Sequence, residues 1–216
     1  KNARLHWVDF SGISNREFGM DGQSYSFNGY GTVKISLLGP HQINNSVVAI
    51  KAAEVLRSKG FTISRQAMLN GLLKAKWPGR LEIVNREPLF IIDGAHNIEG
   101  AKALHDALNQ YFPDRRKIFI IGVLKDKKYR EMIEAVLPIA DRFITVTPNS
   151  ERALEAEKTA EIIKSYCSNV TASSTVEEAI EKSLQEAKPG DVICAFGSLY
   201  YTGEVRTYFS RVKAFY

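Results

Sequence analysis

Cysteine is almost absent: Cys167 and Cys194 stand far apart, with no metal-ligand spacing around either. That excludes a disulfide framework and reads as reduced thiols in a cytoplasmic protein. Long apolar runs are missing too. Leu89–Ile92, Ile118–Leu124 and Val192–Phe196 all fall short of the roughly 20 residues a bilayer-spanning helix needs, so no membrane partner is expected. No stretch concentrates charge of one sign. The formal net charge is +5, but Lys and Arg are interleaved with acids and form no basic block. Nucleic acid is therefore not an expected partner, and the basic balance suits anionic small molecules instead. His6, His41, His96 and His105 show no metal spacing, so no metal site is expected. The chain also lacks a G-x-x-x-x-G-K-[ST] phosphate loop, a G-x-G-x-x-G fingerprint, an H-E-x-x-H pair and a G-x-S-x-G elbow. It opens on Lys1-Asn2-Ala3-Arg4 with no Met and no apolar signal region, so the expectation is a fragment without a secretory leader.

What is present supports one domain and part of another: 44% apolar residues in 216 can build more than one core. Tyr25–Phe27 and Thr32–Leu37 flank Asn28-Gly29, with a second turn at Asp21-Gly22, which predicts a small antiparallel sheet. From Asn44 the spacing of Val48, Ala52, Val55 and Leu56 puts them on one face of a helix that Gly60 ends. Ser64 caps a second helix reaching about Lys74. Ala75–Gly79, containing Trp77-Pro78-Gly79, breaks the periodicity and marks a boundary, with domains 1–78 and 79–216.

Beyond it, apolar strands and amphipathic helices alternate. Strands are expected at Leu89–Asp93, Lys117–Val123, Arg142–Val146, Val170 and Val192–Phe196, and helices at Ile98–Tyr111, Tyr129–Leu137, Glu157–Tyr166 and Val176–Ala187. Thr175 and Glu178 carry a capping-box signature. The order predicts an α/β fold, a mostly parallel sheet covered by helices.

The sharpest site candidate is Asp93-Gly94-Ala95-His96-Asn97, between a strand and a helix. Asp93 can accept from ribose hydroxyls, Gly94-Ala95 permit close backbone approach, and His96 and Asn97 lie at a helix start that favours anions. The structural alternative is that Asp93 and Asn97 cap the helix while His96 packs locally. Arg80 follows the Trp-Pro-Gly break, where its donor fork can reach phosphate, or else it forms a surface ion pair. His41-Gln42 with Asn44-Asn45 offers amides for an adenine edge, or simply a helix cap. Lys127, in Lys125–Lys128, can bind a carboxylate or sit in a solvated turn. Ser198, in Gly197-Ser198-Leu199-Tyr200, can hold a carboxylate or cap the helix that follows.

In order, Leu38-Gly39-Pro40-His41-Gln42 with Asn45, Trp77–Glu82, Asp93–Asn97, Asp126-Lys127 and Gly197–Tyr200 resemble the folylpolyglutamate synthase and dihydrofolate synthase family of the Mur ligase superfamily. The resemblance runs from about Leu37 to Arg206. It implies a Rossmann-like carboxy-terminal domain preceded by the β-rich and helical tail of a central ATPase domain. It also implies an ATP-dependent ligase that adds L-glutamate to folate or dihydropteroate through an acyl phosphate, with ATP and Mg2+. By resemblance Asn45 contacts adenine, Arg80 and His96 are the catalytic residues and contact the nucleotide, Asp93 holds ribose, and Asn97, Lys127 and Ser198 hold glutamate. Ile98 stands where the family's motif continues with Pro. The phosphate loop and most Mg2+ ligands are expected upstream of Lys1, in a missing amino-terminal segment of the same protein, so this chain alone is expected to be inactive. The rival reading is a stand-alone Rossmann-type module binding a nucleotide or acidic metabolite; nucleic-acid binding ranks last.

Overall fold

A computed structural model describes residues 4–213, which divide between two compact units, Lys1–Trp77 and Pro78–Tyr216. In the first unit β1 (Ile13–Gly19), β2 (Gly22–Phe27) and β3 (Gly31–Ile35) form an antiparallel meander. Period-two alternation turns Tyr25, Val33 and Ile35 to one face. There they meet Ile43, Val47 and Ile50 of α1 (Pro40–Ser58) and Met68 of α2 (Arg65–Lys74). Ser64 caps α2 by accepting from the Ala67 N–H at 3.0 Å, and Gly60 (φ 95°) follows the end of α1.

One expectation for α1 is corrected. It begins at Pro40, a favoured first position because the missing N–H would be unpaired there anyway, so Asn44 and Asn45 lie inside the helix and cap nothing. The face that carries Val48 and Leu56 is not the buried one. Val48 and Leu56 are exposed, and Ile43, Ser46, Val47 and Ile50 point inward. The helix carries two apolar stripes, and periodicity could not choose between them. The inner one contains Ser46, whose hydroxyl meets the Tyr25 hydroxyl at 2.6 Å and so tolerates burial.

In the second unit six strands take the order β4 (Glu82–Arg86), β5 (Leu89–Ile92), β9 (Val192–Phe196), β6 (Lys117–Ile121), β7 (Arg142–Thr145) and β8 (Val170–Ala172). All neighbouring pairs are parallel except β4–β5, an antiparallel hairpin edge. No strand was expected at 82–86, because Glu-Ile-Val-Asn-Arg alternates too weakly to stand out from a polar turn. The helices α3 (Ile98–Tyr111), α4 (Tyr129–Val136), α5 (Ala156–Lys164) and α6 (Val176–Glu186) join successive parallel strands, and α7 (Leu199–Lys213) follows β9.

The path β5, β6, β7, β8 moves steadily one way across the sheet, and the return to β9 runs the other way. Right-handed crossovers therefore put α3, α4 and α5 on one face and α6 with α7 on the other. The core divides accordingly. Phe90, Ile92, Ile120, Ile144 and Ala195 pack under α6 and α7 with Tyr201, Val205 and Phe209. The alternate strand positions carry a ring cluster in which Phe119 lies 5.6 Å from Phe143 and 5.5 Å, edge-on, from Phe196. Each such buried side chain stabilises by about 1.5–3 kcal/mol, enough to fix every strand in register.

Candidate functional site

Parallel pairing brings the loops after β5, β6, β7 and β9 to one edge of the sheet. The opposite edge holds polar groups already matched to one another. Arg142 grips Glu186 through two bonds of 2.8 Å, Arg116 pairs with Asp191 at 2.8 Å, and Asp141 accepts from the Lys117 N–H at 2.8 Å. That edge is structural. At the carboxyl edge the chain leaves β5 toward α3 and leaves adjacent β9 toward α7 on the other face, which opens a crevice of the kind where open α/β sheets bind ligands.

The crevice walls are tied together through the backbone. Asp93 N–H donates to Ala195 O (2.9 Å), Gly197 N–H to Ala95 O (2.9 Å) and Gly94 N–H to Gly79 O (2.6 Å). Gly197 has φ 110°, and a Cβ there would sit 2.6 Å from Gly122 O, so only glycine lets the β9 loop lie against the β6 loop. Asp93, 7% exposed, accepts from the Leu81 N–H on one oxygen and the Ala95 N–H on the other, both at 2.8 Å. Burial pushes its carboxyl up, opposed by those two N–H donors and by the nearby Arg80 and His96 side chains. The Asp93 carboxylate is therefore first the knot that binds the residue 79–82 turn to the 93–97 loop.

The other expected residues fall as follows. The half-buried His96 ring hydrogen-bonds through Nδ1 with Gly94 O at 2.7 Å, which fixes its orientation and leaves Nε2 for another partner. Arg80 reaches over Gly94, where an added Cβ would stand 3.4 Å from its guanidinium. Asn97 caps α3, its side-chain oxygen accepting from the Gly100 N–H at 2.7 Å, while Asp93 takes no part in that cap. Ser198 is 2% exposed and accepts from the Tyr200 N–H at 3.2 Å at the start of α7. Lys127 is half-buried in the β6–α4 loop. Asn45 belongs to the first unit, in an amide chain where its Nδ2 donates to Gln42 Oε1 at 3.0 Å and Gln42 Nε2 meets the His41 ring at 3.1 Å. Among the described residues no three His, Cys, Asp or Glu side chains cluster to hold a metal ion, and no helix is long and apolar enough to cross a membrane.

Two groupings escaped sequence reasoning. Arg152, in the loop after β7, bonds Asp126 at 3.0 Å and the Tyr200 hydroxyl at 3.1 Å, joining two loops and the first turn of α7 at the same edge. An arginine in a polar stretch gives no signal for this. The other is Glu82, which accepts from both the Gly79 N–H at 2.7 Å and Arg206 of α7. Between them Leu81 adopts φ 42°, a left-handed conformation that costs a non-glycine residue about 1–2 kcal/mol. Glu82 lay within a recognisable motif, yet its partner is more than a hundred residues away.

Domains of the Rossmann-like kind gather polar groups at the carboxyl ends of strands flanking such a crevice, and the second unit belongs to that class by fold and by site. Its family follows from comparison with known proteins. Residues 79–199 match the family model described as Mur ligase, glutamate ligase domain, and the chain belongs to that family. It is 33% identical over 199 residues to a dihydrofolate synthase/folylpolyglutamate synthase of Bacillus subtilis (strain 168), covering 90% of this chain and 46% of that protein. It is 31% identical over 181 residues to a folylpolyglutamate synthase of Lacticaseibacillus casei, covering 81% of this chain and 40% of that one. Among solved structures, Mycobacterium tuberculosis folylpolyglutamate synthase complexed with ADP superposes with a TM-score of 0.81 at 28% identity, covering 94% of this chain and 48% of that one. The chain thus spans less than half the length of these relatives.

Proposed function

We propose that this chain is part of an ATP-dependent ligase that joins L-glutamate to folate or dihydropteroate, as a folylpolyglutamate synthase, a dihydrofolate synthase or both. The observation that carries the reading is the Asp93 knot, which holds Arg80 and His96 beside one switch-point crevice in a chain of the Mur ligase family. The relatives' names and the ADP bound in the mycobacterial structure support it.

In this reading Arg80 neutralises phosphate charge with its donor fork. The free edge of His96 contacts the nucleotide, Asn45 contacts adenine, and the lone pairs that Asp93 retains accept from ribose. Asn97, Lys127 and Ser198 hold glutamate: the Asn97 amide still has both N–H donors, and Ser198 stands at a helix start where anions are favoured. The substrate carboxylate takes the terminal phosphoryl group of ATP, releasing ADP, and the glutamate amine then displaces phosphate from the acyl phosphate and loses a proton as the amide forms, so the groups of this edge serve to align and to exclude water. Mg2+ bound with ATP would supply further charge neutralisation.

The phosphate loop and most Mg2+ ligands come, on this proposal, from a segment preceding Lys1. The exposed Val48 and Leu56 on α1 support more polypeptide packing there. The protein acts in the cytoplasm, and residues 1–216 alone do not turn over ATP. The test is folate-dependent glutamate incorporation with ATP and Mg2+, comparing the full-length parent, its Asp93→Ala and Arg80→Ala variants, and residues 1–216. Expected are activity in the parent, at least a hundredfold loss in each variant, and none in the shorter chain. A folded parent inactive with every folate substrate would leave a binding module in place of the ligase.

A further inference from the structure

We infer that Glu82 and Arg206 are positioning residues that act through Arg80, an inference that rests on the ligase reading above. Arg80 sits in a turn fastened on every side. The Gly79 carbonyl accepts from Gly94 at 2.6 Å, the Gly79 N–H donates to the Glu82 carboxylate at 2.7 Å, and the Leu81 N–H donates to Asp93 at 2.8 Å. Leu81 is held left-handed at φ 42°. A strained non-glycine residue persists only where its surroundings over-determine it, and such residues gather at sites that must be pre-formed.

The fastening that comes from outside the turn is Arg206, whose guanidinium ion-pairs with Glu82 through the same oxygen that accepts from Gly79. Arg206 lies about two helical turns along α7 from Leu199, the residue after Ser198. Leu199 itself packs toward Gly79 and lies so close over Gly94 that an added Cβ there would meet it at 2.8 Å. One helix therefore sets both ends of the edge: its first residues form the Ser198 loop, and its second turn holds the base of the Arg80 turn. Without the ion pair the Glu82 carboxylate is free to swing from Gly79, the left-handed Leu81 relaxes, and Arg80 loses its aim at phosphate while Ser198 keeps its place.

The full-length ligase should be prepared as Glu82→Gln, Arg206→Met, Arg206→Lys and Arg80→Ala, with each of the first two also combined with Arg80→Ala. Binding of AMPPCP is measured by calorimetry, KM for ATP and for glutamate by turnover, and thermal midpoints throughout. Glu82→Gln and Arg206→Met are expected to weaken AMPPCP binding and to lower kcat/KM for ATP about 10- to 100-fold, the scale of a small misplacement of a reacting group. KM for glutamate should stay within about twofold and Arg206→Lys should recover much of the loss, as expected of a positioning role. In the Arg80→Ala background the same substitutions should change AMPPCP affinity less than about twofold, because the group they position is gone. Equal losses in both backgrounds, or no loss in either, would overturn the inference. An Arg80→Ala enzyme with unaltered nucleotide binding and turnover would instead remove the role given to Arg80 in the ligase reading. Should Glu82→Gln fail to fold, the two Arg206 variants carry the comparison.

Discussion

At the Asp93 carboxyl, stability and chemistry pull in opposite directions. Burial raises it, so its favourable contribution to folding is whole below about 3.8, the ordinary value, and is lost as pH rises through the raised value of the folded chain. Measured by urea midpoints across a pH series, the wild-type chain should lose stability relative to the non-titrating Asp93→Ala as pH climbs from below 3.8 toward neutrality. A flat difference would mean that the carboxyl is hydrated. Gly197 makes the complementary case, of backbone in place of charge. Gly197→Ala should destabilise by about 1–3 kcal/mol, because its φ of 110° and the Gly122 carbonyl at 2.6 Å each resist a side chain. Of these two, Asp93 could be picked out from sequence by its place between a strand and a helix. The demand on Gly197 could not, since the Gly122 carbonyl it faces comes from a different loop.

Among the elements, α6 shows how far local signals carry. Thr175 Oγ1 accepts from the Glu178 N–H at 3.0 Å, as the capping signature predicts, but the Glu178 carboxylate reaches the Ser174 N–H at 2.7 Å and pairs with Lys182, also at 2.7 Å. The Lys182 partner and the Ser174 N–H hold the Glu178 carboxyl at about 2. Its contribution is therefore complete above the ordinary 4.5 and disappears as pH falls through about 2. Denaturant titrations of Glu178→Gln should show a deficit that shrinks on acidification, and Thr175→Ala should cost about 1 kcal/mol. Strands β5, β6 and β9 were legible as apolar runs because both of their faces are buried. β4 was not, since an edge strand of mixed composition follows no such rule. The inward face of α1 was not legible for a related reason: Val48, Ala52, Val55 and Leu56 obey helical spacing, yet the buried face is the one where Ser46 meets Tyr25.

On the scale of the whole molecule, each unit has its own core, and Lys76-Trp77, where the first unit ends in the sequence, is exposed. Brief trypsin treatment should cut after Lys76 and leave the second unit folded, seen as a persistent fragment with protected amides; rapid loss of that fragment would show that its sheet needs the first unit. The strand order has a further effect during synthesis. β9 lies between β5 and β6, yet seventy residues separate it from β6. As the chain emerges from the ribosome, β5 and β6 wait with open hydrogen-bonding edges and uncovered apolar faces until residues 192–196 arrive to close the gap. A nascent chain stalled near residue 190 would present two unjoined half-sheets, so a premature stop there should yield aggregates or chaperone-bound chains and no smaller soluble domain.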